Sequence, residues 1–163
     1  MERTPIEGRT ELHDIVVGLY NIVFADELEP EDIDLYYIES EYVEAEIQLP
    51  YIGVNRKQWE EEWSAERKLE VLLHEFAHIE EAEDELDHEP TFYDRLVELS
   101  QIAESHRSAV EDLFGTSIDF ESVHRHIIDS VNEYTVESDL DDVETRQEVL
   151  REEFGLPAEA TED

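Results

Sequence analysis

The stretch that most constrains this chain runs from Leu69 to Ile79, because it is two-faced. At 100° per residue Leu69, Leu72, Leu73, Phe76 and Ile79 fall on one arc of a helix, while His74 and His78 lie about 40° apart on the opposite side. A helix patterned this way seats its apolar arc on a core and turns its histidines toward an opening. The histidines belong to the motif His74-Glu75-x-x-His78, and His88 follows ten residues later. Residues i and i+4 stand about 6 Å apart on one helix face, so both rings can aim a nitrogen at one metal ion. The chain has no cysteine, so a metal must be held by histidine and carboxylate, which suits Zn2+. Glu75 points to the edge of that face, where it does not ligate but can take a proton from zinc-bound water and deliver it to a leaving amine. A third protein ligand leaves the fourth position open, as catalysis requires. His88 is the candidate, with Glu98 or Glu104 on the next helix as carboxylate alternatives.

The rest of the chain supplies a frame for that helix. Residues 1–10 carry Pro5 and Gly8 without periodicity and read as a flexible arm. Thr10 can cap a helix in which Leu12, Ile15, Val16, Leu19, Ile22 and Val23 recur at three-to-four spacing, ending before Pro30. From Ile33 to Asn55 the period falls to two, through Leu35, Tyr37, Val43, Ala45, Ile47 and Leu49, which predicts two or three antiparallel strands. Pro50 then makes Tyr51-Ile52-Gly53-Val54 an expected edge strand, able to offer backbone groups to an extended peptide. Lys57 to about Glu85 reads as helix in two pieces, with Ser64 capping the second. Pro90 opens a further helix with Phe92, Leu96, Leu99 and Ile102 or Ala103 as its buried stripe, ending near Gly115. Residues 11–115 therefore form an α+β domain, and residues 116–163 a C-terminal helical extension. The extension holds one helix through Phe120, Val123, Ile127, Val131 and Tyr134 and another from Ser138 or Asp139 to Gly155, which pack onto the domain or serve a protein partner.

Charge limits the partners. The chain carries 47 acidic and 11 basic residues, a formal net charge of −36 spread along its whole length, which disfavours direct nucleic-acid binding and anionic lipid. The acids alternate with apolar residues at helical spacing, as in Glu148-Val149-Leu150, a pattern of a solvated surface around an ordinary core. Adaptation to concentrated salt explains this better than an acidic mimic does, since at about 1 M the Debye length shrinks to about 3 Å and self-repulsion is screened. The longest apolar run is about eleven residues, too short to span a bilayer that needs about 20, and no signal-peptide pattern opens the chain. A cytoplasmic protein of a high-salt organism or its virus is expected.

Val71-Leu72-Leu73-His74-Glu75-Phe76-Ala77-His78, with His88-Glu89-Pro90-Thr91-Phe92-Tyr93-Asp94-Arg95-Leu96, resembles the SprT-like and WSS1-like metallopeptidases, in which HExxH is followed by H-x-x-x-F or H-x-x-x-W opening the next helix. The resemblance covers about residues 10 to 115. It implies a small zincin fold, zinc on His74, His78 and His88, Glu75 as general base, Phe92 packing the third-ligand helix, and a peptide or protein substrate. The chain departs from the family where Glu89 and Pro90 follow the third histidine, and it lacks the basic DNA-binding segments of members that act on DNA-crosslinked proteins. The other expectation is a non-catalytic protein that keeps zinc as a fold clamp and docks a partner assembly through its acidic surface or C-terminal helices. His124, His126, His13 and His106 have no partner at ligand spacing and read as surface or core residues, and Tyr36, Tyr37, Tyr42, Tyr51 and Tyr93 read first as packing residues.

Overall fold

A computed structural model describes residues 2–79 and 90–134, apart from the side chains of 90–94 and 130–134. The architecture is α+β: one face of a four-stranded sheet is covered by helices. The strands are β1 (Glu2–Pro5), β2 (Asp34–Glu39), β3 (Ala45–Gln48) and β4 (Tyr51–Asn55), and the helices are α1 (Glu11–Phe24), α2 (Ala65–His78), α3 (Pro90–Ser105), α4 (Arg107–Phe114) and α5 (Phe120–Tyr134).

Two expectations about the sheet are corrected. It is mixed and not antiparallel, because its order is β1-β2-β4-β3 and the central pair β2–β4 runs parallel. The strand after Pro50 is therefore internal. Pro50 precedes β4, so its missing N–H takes nothing from the ladder, and its carbonyl accepts from the Asp34 N–H at 2.8 Å. The edge falls to β3. Residues 2–5, expected within a loose arm, instead form the opposite edge, β1, antiparallel to β2, with Pro5 at the strand's end where an edge tolerates it.

Register explains how β3 is held. Tyr36, Gly53 and Glu46 lie abreast on β2, β4 and β3, and the Tyr36 ring crosses Gly53 so that its hydroxyl reaches the Glu46 carboxylate. A Cβ at position 53 would stand 2.2 Å from Tyr36 Cε2, so only glycine permits the crossing. Arg3 of β1 grips the same carboxylate at 2.6 and 3.1 Å, and the Arg3 hydrogen bond keeps Glu46 below the usual carboxylate range. On the other face Leu35, Ile52 and Val54 are buried against the helices, with Tyr37, Ala45 and Ile47 half-buried beside them.

The helices follow their sequence signals. Thr10 caps α1, its Oγ1 accepting from the His13 N–H while His13 Nδ1 accepts from the Thr10 N–H, so His13 is a capping residue. Ser64 caps α2 through the Arg67 N–H at 3.2 Å. Leu69, Leu72, Leu73 and Phe76 are fully buried, and Phe76 meets Tyr20 and Phe24 of α1 with centroids 5.6 and 6.0 Å apart. Burying a side chain of this size contributes about 1.5–3 kcal/mol. The helix expected from Pro90 to near Gly115 breaks at His106, where Ser105 Oγ and His106 Nδ1 both donate to the Ile102 carbonyl and compete with the helical bond. Gly115, at φ +72°, closes α4. α5 packs on α2 and α3 and adds Phe120, Val123, Ile127 and Ile128 to the same core, so the boundary at 115 separates segments that share one interior. The expected last helix, from Ser138 or Asp139 to Gly155, lies outside the described residues. Among the described residues no helix is long and apolar enough to cross a membrane.

Candidate metal centre and cleft

With its apolar arc fixed against α1, α2 turns His74 and His78 outward from the core. Their Nε2 atoms stand 3.3 Å apart and the rings meet edge to face with centroids 4.9 Å apart. Two nitrogens bound at 2.0–2.1 Å to a tetrahedral zinc are separated by about 3.3–3.4 Å, so the separation matches that of two zinc ligands and also that of a hydrogen bond between the rings. The Glu75 carboxylate belongs to the same group, with one ligating atom from each of the three residues within 4.8 Å of the others. That is within reach of a water bridging the carboxylate and a metal on the histidine pair.

His88 lies outside the described residues. The carboxylate alternatives point elsewhere: Glu98 is exposed and paired with Arg95, while Glu104 faces His124 and Arg107. Among the described residues, the ligand-forming group is His74, Glu75 and His78 alone. Phe92 lies on α3, its side chain among those not described.

A cleft of about 490 Å³ opens beside this group, walled by the segment from Tyr42 to Ala45 leading into β3, by Arg67, Glu70 and Val71 of α2, and by His126 and Asp129 of α5. The edge strand anticipated beside the histidine helix is therefore present, but it is β3 and not the strand after Pro50. The strand's approach is rigid: buried Asn55 donates to the carbonyls of Ser40 and Val43 at 2.7 and 2.9 Å, and Ser40 Oγ accepts from the N–H groups of Tyr42 and Val43. Tyr42, 88% exposed, stands at the rim.

Arg67 ties the cleft wall to the sheet by bridging Glu44, at 2.6 Å, and Glu70. Glu70 is 3% exposed, and burial pushes its carboxyl above the usual range although Arg67 pulls the other way. For Arg67 burial works against the charge, but the two carboxylates outweigh it and raise the guanidinium's pKa.

No family model, curated protein or solved structure matches the chain. The chemistry must be read from its own residues. The motif brought His74, Glu75 and His78 together as expected, whereas the Arg67–Glu70–Glu44 bridge and His126 were not anticipated. Glu70 precedes His74 by one helical turn, and His126 and Asp129 lie one turn apart on α5, so helical spacing carried a signal for both. What it did not carry was that α5 folds across α2. His124, two residues from His126, is buried, and burial lowers its imidazole pKa to about 4.

Proposed function

We propose that the chain is a zinc-dependent peptidase of the small zincin type, with His74, His78 and His88 as ligands and Glu75 as general base. The observation that carries this reading is the 3.3 Å spacing of the His74 and His78 ring nitrogens, with Glu75 beside them at the head of a cleft. When bound, zinc supplies a Lewis acid that lowers the pKa of water toward about 7 and stabilises charge on a carbonyl oxygen. Glu75 accepts the proton of the attacking water as a bond forms between the water oxygen and the carbonyl carbon. It then passes that proton to the amide nitrogen as the C–N bond breaks, so water is consumed and a carboxylate and an amine leave. β3, the sheet edge bordering the cleft, offers backbone N–H and C=O groups to a peptide or protein substrate lying extended.

Purified protein in concentrated salt is expected to hold one zinc per chain and to cut an unfolded casein-like substrate. Glu75→Gln should keep the zinc and lose about 10²–10⁴-fold in rate. Unchanged hydrolysis by a zinc-loaded Glu75→Gln variant sinks the mechanism. A zinc held by four protein ligands, in a protein that cuts nothing, makes the site a fold clamp instead.

A further inference from the structure

Adding water to a peptide carbonyl places negative charge on its oxygen, and a preorganised donor aimed at that oxygen is among the larger contributions to such catalysis. Besides His74, the described side chains lining the cleft that carry N–H or O–H donors are Tyr42, Arg67 and His126. Arg67 is held between Glu44 and Glu70. Tyr42 lines the cleft from the approach to β3 and is 88% exposed. His126, itself exposed, lines the cleft from α5, a helix that packs directly on α2. The rotation of α5 is fixed, because Val123, His124, Ile127 and Ile128 are all buried, which leaves His126 and Asp129 on the face toward the cleft. His126 shares the cleft with Glu70, which is one helical turn from His74.

We propose that His126 is a catalytic residue of this peptidase, donating an N–H hydrogen bond to the oxyanion that develops on the substrate carbonyl. The assignment rests on the peptidase reading above. No proton is transferred: the imidazole stabilises charge while Glu75 moves the proton, and the bond made and the bond broken are those already described.

The experiment measures zinc content, kcat and KM for wild type, His126→Ala, His126→Gln and Tyr42→Phe on one fluorogenic peptide in concentrated salt. His126→Ala should keep one zinc per chain and lose about 10²–10³-fold in kcat with KM changed by less than about threefold. His126→Gln, which restores an N–H donor, should recover part of that loss, and Tyr42→Phe should cost less kcat than His126→Ala does. A zinc-loaded His126→Ala variant within about threefold of wild-type kcat overturns the proposal. So does loss of zinc from that variant, which would make His126 a ligand, or a loss of kcat in Tyr42→Phe matching that of His126→Ala. If instead the wild type holds zinc and cuts nothing, the peptidase reading itself falls, which differs from an active wild type indifferent to His126.

Discussion

The two faces of α2 differ in what they are made to do. The back face, through Leu69, Leu72, Leu73 and Phe76, is fully buried in the hydrophobic core. The front face carries Arg67, Glu70, His74, Glu75 and His78, and its partners come from β3's approach and α5, remote in sequence. One face makes the helix stable; the other holds charged and ligating groups that cost stability unless each is matched. The contrast predicts that substitutions behind the helix act on folding, whereas those in front act on chemistry, with one exception at the buried ion pair.

Phe76→Ala should give the largest effect, a loss of about 3–5 kcal/mol in a denaturant titration at fixed high salt, because it removes contacts with Tyr20 and Phe24 and leaves a cavity. Zinc binding by the remaining folded fraction should be unchanged. A loss below about 1 kcal/mol would mean that α2 is not anchored from behind.

Arg67→Met tests the exception. It strands the Glu70 carboxylate in the wall and should cost about 3 kcal/mol at neutral pH. The sign with pH follows from burial. Glu70's folded pKa is raised above its ordinary 4.5, so between those values the folded state binds more protons than the unfolded one, and stability falls as pH rises. Without Arg67 that window widens upward. The deficit against wild type should be smallest below about pH 4.5 and grow toward neutrality; a deficit independent of pH would rule out the stranded carboxylate as its cause.

Ser64→Ala removes the cap on α2 and should cost about 1 kcal/mol without altering the zinc site. The smallest effect on the metal-free protein belongs to His74→Ala, expected at about 1 kcal/mol or less because the partly buried ring lines the cleft outside the apolar core. Yet this variant should lose the rise in melting temperature that zinc gives the wild type, since an ion binding only the native state stabilises by mass action. Equal zinc shifts in the two proteins would remove His74 from the ligand set.

These contrasts also show what the sequence could disclose. The back face was legible because burial on one side of a helix leaves a 3.6-residue period, and HExxH was legible because its ligands share one helix. Ser64, Thr10 and Pro90 marked helix starts through local chemistry that needs no tertiary partner. The sheet order was hidden, since alternation along a strand says which residues face the core but not which strand lies beside it. Pro50 pointed to an edge when it sat one residue before an internal strand. His126 read as a surface or core residue because its place in the cleft depends on α5 packing on α2.

Among the described residues β3 has no strand on its outer side, and that has a further cost for the protein in solution. An edge able to receive a substrate strand is equally able to receive the same strand of another copy, which is how sheets begin to aggregate. Glu46 within the strand and Glu44 just before it are paired with Arg3 and Arg67, so it is the net charge of −36 that keeps copies apart at neutral pH. Around pH 4.1, where the charges balance, that guard is lifted. The same acidification that favours a protonated Glu70 inside the wall therefore removes the repulsion outside it, and self-association through β3, read by light scattering, should rise there.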